Sequence, residues 1–503
     1  MPHTSPFPSV EDPNTDLYTL IFEGLTEEEL GRVAIHEVNT GDEVTYAELK
    51  QRVDAVAGEL AARGIGPGDT VTLQIPNSIH FAAATLGIQR AGAVASPVGI
   101  LMNQKDVDHA IGIGKSKLYI GLTDVEGIEQ IWLSELPSIY RKNLPAPDIT
   151  LDPDAIACMP FSSGTTGLPK GVDMPHRSLV MNCLQVASAF EYNGAGAPLR
   201  ALSALPFSHI YGLVVLLFFN LSQRSTIFTM PKFDLEEFIL AHGKYGIELS
   251  FIAPPMAVAI AKHPLAQADG FETTKFMMCG SGPLTAEISN AVYHRLGVKI
   301  LQGYGLTETV VTHFSIMDKT DPGCIGFAAP NVTFKIVDPE TLEEVPNGER
   351  GELVLQSPCL LRGYRDNPKA TEETFDGEWF RTGDVAKLEE DGTVRIVDRY
   401  KELIKYKGYQ VAPAELEQLL LTHESIDDCC VVGTDRGGLE VPIALIVRSK
   451  GSTITGEEIM DWVAQRVTPY KKIRDVYFVE SLPKTAAGKN KRGEIKQAIA
   501  ALR

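Results

Sequence analysis

The sequence predicts a layered α/β protein in which a large N-terminal part precedes a smaller C-terminal α/β domain. Three observations lead there: helical apolar spacing alternating with short β-rich runs, a later stretch of strands with turn signals, and a length of 503 residues, more than one core supports. Thr45 to Gly64 sets apolar residues at helical spacing between a Thr start and a Gly stop, and Pro67-Gly68-Asp69 then turns the chain into the strand-like TVTLQI. FAAATLGIQRAG before AVASPV, and AEISNAVYHRLG before VKILQ, repeat the pattern, each helix ending at a glycine. Ile210 to Leu221 is the longest apolar run, shorter than the roughly 20 residues a membrane span needs, and reads as buried core. NVTFKIVD, GELVLQS and TVRIVDR predict a small sheet or β-barrel, after which a boundary near Asp398 to Lys401 separates residues 1–398 from 399–503.

Composition narrows the class. With 44% hydrophobic and 22% charged residues the chain reads as globular. The opening MPHTSPFPSVEDPNTD lacks the basic start and apolar core of a signal peptide and reads as a loose lead-in. Seven cysteines in no metal-binding spacing fit reduced thiols in a cytoplasmic setting. The formal charge of −19 is uneven: from Arg399 onward 17 Lys and Arg face 14 Asp and Glu, which leaves −22 on the first 398 residues. So acidic a body argues against a nucleic-acid partner, and no integral membrane segment is expected. Oligomeric state is not readable from sequence.

The chemistry begins at FSSGTTGLPKGV, Phe161 to Val172. Gly164 and Gly167 let the backbone approach a ligand closely, Ser162, Ser163, Thr165 and Thr166 supply hydroxyl donors, and Lys170 supplies positive charge, a combination suited to phosphate oxygens. The order is not that of a P-loop, because Lys170 is followed by Gly171 rather than a hydroxyl residue. A flexible Ser/Thr/Gly linker is the bland alternative. Further along stand PFSHIYG (Pro206 to Gly212), QGYGLTET (Gln302 to Thr309), RTGD (Arg381 to Asp384), DRYKELIKYKGYQVAPAELE (Asp398 to Glu417) and PKTAAGKNKR (Pro483 to Arg492).

On these six ordered motifs the chain resembles the adenylate-forming superfamily, and within it 4-coumarate-CoA ligase-like enzymes. The resemblance implies a large N-terminal adenylate-forming domain of layered α/β subdomains plus a small β-barrel, with a mobile C-terminal α/β domain rotating about Lys401. It implies an ATP-dependent ligase joining a carboxylic acid to coenzyme A through an acyl-adenylate, with ATP, Mg2+ and CoA taking part. It places Ser162 to Gly167, Lys170, Gly280, Ser281, Gly282, Gln302, Gly303, Tyr304, Gly305 and Thr307 around the nucleotide, Tyr304 on adenine and Asp384 on the ribose. Arg399, Lys405 and Gln410 are further nucleotide or adenylate contacts, and Glu308 with Thr307 faces the metal. Magnesium takes hard oxygen ligands and commonly bridges one or two carboxylates with substrate phosphates, so a single glutamate suffices.

The same resemblance makes Lys489 the catalytic cation that orients the acid and stabilises developing charge on the α-phosphate. His209 stands beside the acid and the CoA tunnel, where Lys407 and Gly408 would meet the pantetheine arm. Tyr211, Ser281, Gly305 and Val310 line the acyl pocket. The chain departs from the family pattern at Asn490, a position usually aliphatic, and at CGSGPL and TETVV, near where the resemblance puts the acyl tail; the effect of these departures is not readable from sequence. An aryl-propenoic, 4-coumarate-like acid is the expected substrate and a medium- or long-chain fatty acid the alternative. A luciferase-like oxygenase, a stand-alone adenylation enzyme serving a carrier protein, and a non-catalytic adenylate sensor share these motifs. The chain stopping at Arg503 leaves no attached carrier domain, and the intact Lys489, Glu308 and Asp384 oppose the sensor.

Overall fold

Helices and strands alternate along the chain as the spacing predicts. The computed structural model describes residues 2–162, 169–407, 409–436, 439–485 and 489–501. Helix Tyr46–Ala62 begins at a reciprocal cap, in which Thr45 Oγ1 accepts from the Glu48 amide and Glu48 accepts from the Thr45 amide. It ends as the chain turns through Gly64 at φ +74°, a conformation glycine adopts without cost. Strand Thr70–Gln74 follows, fully buried, then helix Ile79–Arg90 and strand Val94–Pro97.

Those strands are central in the first sheet, whose order runs Gly363–Tyr364, Lys170–Pro175, Ile156–Cys158, Val94–Pro97, Thr70–Gln74, Leu118–Gly121 and Glu129–Trp132. The second sheet carries parallel Ile300–Leu306, Phe276–Cys279, Leu249–Ile252, Arg200–Ser203, Thr226–Thr229 and Val33–Glu37, extended at one side by antiparallel Val310–Phe314. Apolar strands buried on both faces are what covered parallel sheets require. The β-rich stretch forms a third, antiparallel sheet from Thr333–Val337, Arg350–Gln356, Trp379–Leu388 and Val394–Arg399, with short flanking strands.

The main buried apolar cluster extends from Phe7 to Val394, with a small one around Val98, Val107 and Tyr119; two further clusters begin at Ile404 and Cys430, and a small one of Val385, Leu403 and Ala412 spans the boundary. Strand Ile426–Asp435 pairs with Glu440–Arg448, which pairs with Val476–Phe478; helices Pro413–Leu421, Gly456–Ala464 and Arg492–Ala501 complete this C-terminal part. The connection through Asp398 to Lys401 is a strand end followed by a 3-10 turn, Tyr400–Glu402. Ile210 to Leu221 is buried, wound as a π-helix over Tyr211–Phe218 and an α-turn over Phe219–Ser222. Among the described residues no helix is long and apolar enough to cross a membrane.

The N-terminus corrects the sequence reading. Rather than a loose lead-in, His3–Thr4 adds a strand to the third sheet, Val10 exchanges two hydrogen bonds with the Asn331 side chain (2.9 and 3.0 Å), and Arg177 ion-pairs with Asp12. Tertiary pairing tied down a segment whose composition alone favours disorder.

Candidate functional site

A cavity of about 370 Å³ opens where the strand ends of the first two sheets meet the turn before the C-terminal part. Ligands in open α/β sheets bind outside the carboxyl ends of strands. Ser162, Lys170, His209, Tyr211, Gly280, Ser281, Gly303, Tyr304, Gly305, Thr307, Glu308, Val310, Arg399, Lys401 and Lys489 all line it, gathered from every motif except RTGD's aspartate. Ser163, Gly164, Thr165, Thr166, Gly167 and Gly408 lie outside the described residues.

At the charged end, strands Ile300–Leu306 and Val310–Phe314 form a hairpin whose turn presents Thr307 and Glu308. Gly305 is required there, because a Cβ would stand 1.6 Å from the Val310 carbonyl oxygen. Glu308 is 9% exposed and accepts a 2.8 Å hydrogen bond from the Tyr364 hydroxyl on Oε1. Its Oε2 receives no hydrogen bond from a described residue. Among the described residues no cluster of three metal-ligating side chains exists, so a magnesium ion here would be shared between Glu308, the Thr307 hydroxyl and phosphate oxygens. These hard oxygens in a half-enclosed setting fit that ion.

Beside the turn, the Tyr304 hydroxyl donates to Asp384 Oδ2 at 2.6 Å and Arg399 Nε pairs with Asp384 Oδ1 at 2.8 Å. Strand pairing sets Asp384 opposite Arg399. In this structure Asp384 is 3% exposed, does not line the cavity, and both its oxygens are engaged by Tyr304 and Arg399. Burial pushes its pKa up against the pull of Arg399, Tyr304 and Lys489, and Asp384 is the first cause raising that of Arg399.

Lys489 arrives from the far end of the chain. Its N–H donates to Thr485 Oγ1 (3.1 Å) and its carbonyl accepts from the Thr485 amide (2.8 Å), closing a short loop at the cavity. Burial, then Arg399, lower the ammonium's pKa, while Asp384, Glu308 and Glu402 raise it. An ammonium so placed gains from an incoming anion. The Asn490 amide donates to the Cys429 carbonyl at 3.1 Å, tying the residue after Lys489 to strand Ile426–Asp435. His209 is held neutral, its pKa pulled down to about 3 by burial and by Lys489. Its Nδ1 accepts from the Tyr211 amide at 3.3 Å, which assigns the proton to Nε2.

The other end is apolar. The Tyr211 hydroxyl donates to the Met278 carbonyl at 2.9 Å, and a Cβ on Gly280 would lie 3.2 Å from the Tyr211 ring, so the glycine leaves room for it. Val215, Met278, Val311 and Phe314 complete that wall. Ser281 and Val310 adopt positive φ, +71° and +53°, the second uncommon for a β-branched residue.

Several expected contacts are not brought to the cavity. Gln302 is 3% exposed, and its amide nitrogen donates to the carbonyls of Pro322 (2.6 Å) and Cys324 (3.2 Å), tying those backbone segments together. Gly282 packs toward Pro254. Lys405, Lys407 and Gln410 sit on the hairpin Ile404–Tyr406 with Tyr409–Val411, away from the cavity in this arrangement of the chain. Sequence reasoning missed Tyr364 and Met278. Neither stands in a motif; the only signal for Tyr364 is the aromatic in RGYRDNP, and for Met278 its place just before CGSGPL.

Comparison with known proteins adds a family. The model described as AMP-binding enzyme matches residues 22–365, and that described as AMP-binding enzyme C-terminal domain matches residues 415–489. A 4-coumarate–CoA ligase 2 of Nicotiana tabacum is 34% identical, covering 99% of this chain and 97% of its own. A peroxisomal OPC-8:0-CoA ligase 1 of Arabidopsis thaliana is 34% identical, with 98% and 94% covered. Among solved structures, ATP-bound MatB from Rhodopseudomonas palustris superposes with a TM-score of 0.89 at 26% identity, covering 97% of this chain and 99% of that one.

Proposed function

The chain belongs to the AMP-binding enzyme family and is an ATP-dependent, AMP-forming acid:CoA ligase working through an acyl-adenylate; we propose that its acid is uncharged beyond its carboxylate, with an apolar, aryl-propenoic tail. The observation that carries this is the cavity's polarity: Lys170, Glu308, Arg399 and Lys489 gather at one end, and Tyr211, Val215, Met278, Val311 and Phe314 close the other. A second carboxylate or an ammonium on the tail would find no partner among those apolar side chains and would lose its hydration on entry. The relatives named for 4-coumarate favour an aryl tail, and the one named for OPC-8:0 leaves a fatty acyl chain as the competing outcome.

In this reading the acid's carboxylate oxygen attacks the α-phosphorus of ATP and pyrophosphate leaves. The Lys489 ammonium lies between the two anions, offsetting their repulsion and the charge that builds on the α-phosphate oxygens. Both effects are stronger in a site shielded from water. Neutral His209 offers its Nε2–H to the carboxylate without adding a second cation beside Lys489. Tyr304 carries the nucleotide base, its hydroxyl anchored on Asp384 and that carboxylate on Arg399. Magnesium, when bound, neutralises phosphate charge and favours the leaving pyrophosphate, held by Glu308 and Thr307.

The second step, CoA thiolate attack on the acyl carbon with loss of AMP, needs a different set of groups in the same place. We assign residues 399–503 as the moving part, Lys401 as its hinge, and Lys405, Lys407, Gly408 and Gln410 as groups that reach the site after rotation. A cytosolic setting completes the reading.

The test is a panel of cinnamic, benzoic and C4 to C16 fatty acids with ATP and magnesium, reading pyrophosphate release and acyl-CoA mass with and without CoA. CoA thioester from cinnamic acids supports the proposal. Thioester from fatty acids alone replaces the aryl tail by an alkyl one, and preference for a dicarboxylate overturns the uncharged tail.

A further inference from the structure

Tyr364 touches both sides of the charged end, although none of the six motifs read from the sequence contains it. It belongs to the two-residue strand Gly363–Tyr364, laid antiparallel on Lys170–Pro175 with Tyr364 opposite Val172. Its hydroxyl donates to Glu308 Oε1 at 2.8 Å, and the Lys170 ammonium lies 4.4 Å from its ring centroid. The surrounding segment grips the same two elements through its backbone. The Leu361 amide donates to the Glu308 carbonyl (2.8 Å), the Arg362 amide to that of Asp173 (2.8 Å) and the Arg365 amide to that of Gly171 (2.9 Å). Arg365 also donates to the Asp173 carboxylate at 2.9 Å. Residues 361–365 are thus a strap joining the hairpin turn of Glu308 to the strand that leaves the phosphate loop.

An ammonium and a carboxylate at one end of a shielded cavity attract strongly when no ligand lies between them. In this structure Lys170 and Glu308 form no ion pair with each other; each meets a different part of one phenol instead. The ring face holds the ammonium by its negative quadrupole and the hydroxyl holds one carboxylate oxygen, while Oε2 receives no hydrogen bond from a described residue. We propose that Tyr364 is a positioning residue that keeps Lys170 and Glu308 apart and aimed at the triphosphate and its metal. This rests on the assignment of Lys170 to phosphate and Glu308 to magnesium.

Two variants of the full chain separate its parts. Tyr364→Phe keeps the ring and removes the hydroxyl. The magnesium concentration giving half-maximal pyrophosphate release should rise about 10-fold, the equivalent of one charged hydrogen bond, with metal-free ATP binding by calorimetry unchanged. Tyr364→Leu removes both contacts and frees Lys170 to pair with Glu308, so metal-free ATP binding should weaken about 5-fold and the magnesium requirement should rise as well. The KM for the acid should stay constant in both. Lower turnover with unchanged magnesium and ATP dependence would mean that the ring merely packs the strap and would overturn the proposal. If Tyr364→Leu does not melt cooperatively, the magnesium response of Tyr364→Phe alone decides. A wild-type protein that releases no pyrophosphate with magnesium-ATP and any acid would sink the functional reading instead, whereas an active wild type with an unaltered Phe variant sinks only this inference.

Discussion

The two ends of the cavity are built on opposite principles. The charged end is assembled from side chains far apart in sequence, Lys170, Glu308, Tyr364, Arg399 and Lys489, and its geometry depends on contacts such as the Tyr364–Glu308 hydrogen bond and the ion pair of Arg399 with Asp384 behind it. The apolar end is an extension of the protein core, in which Met278 and Phe314 are 1% exposed and belong to the same cluster as the sheet interior. A group at the charged end can therefore be removed with a large effect on rate and a modest one on stability. At the apolar end the order reverses, because each side chain is part of the packing that holds the sheets together.

The strongest break of that contrast is Lys489→Ala. Adenylate formation should fall at least about 100-fold, the usual weight of a preorganised charge at a transition state, while thioester formation from supplied acyl-adenylate is largely spared. Equal loss in both half-reactions, followed by rapid quench, would show that Lys489 holds the fold or the CoA face rather than the adenylation chemistry.

Met278→Ala tests the opposite end. Truncating a buried methionine costs about 2–5 kcal/mol, visible as a lowered urea midpoint, and the emptied space should favour longer or wider acids with ATP and magnesium dependence unchanged. A variant as stable as wild type would mean that the apolar end is less continuous with the core than its burial indicates.

The smallest effect is expected at the seam behind Arg399. Asp398 accepts from the Arg399 and Ala414 amides (2.7 and 2.8 Å), yet burial raises its carboxyl to about 7. Unfolded, an aspartate titrates near ~4, so between about pH 4 and 7 the native state binds more protons than the unfolded one. From this group stability is highest at the acid side of that window and declines as pH rises through it. Asp398→Asn should flatten that slope in urea melts taken across the window; an unchanged slope would assign it to other groups.

The charged end was legible in sequence to the extent that its members sit in contiguous motifs. Hydroxyls, glycines and a lysine in the run that ends at Val172 suggest phosphate binding locally, whereas the role expected of Glu308 came through the resemblance. Gln302 and Asp384 show the limit of that reading. Both stand in motifs, but one is spent on the carbonyls of Pro322 and Cys324 and the other on Tyr304 and Arg399, partners that no local spacing reveals. The N-terminal segment misleads for the same reason, since its order comes from Thr333–Val337 and Asn331, more than three hundred residues away.

By itself the sequence determined the alternation of helix and strand, the helix caps at Thr45 and Gly64 and the buried character of Ile210 to Leu221, because each rests on periodicity or backbone preference; the class of reaction came through the resemblance that its six ordered motifs carry. Only the tertiary structure decided that Tyr364 bridges Lys170 and Glu308, that Asn490 is tied to Cys429, and that Met278 lines the apolar end of the cavity. These are contacts between distant segments, and their distances are set by how the sheets pack rather than by any residue's own chemistry.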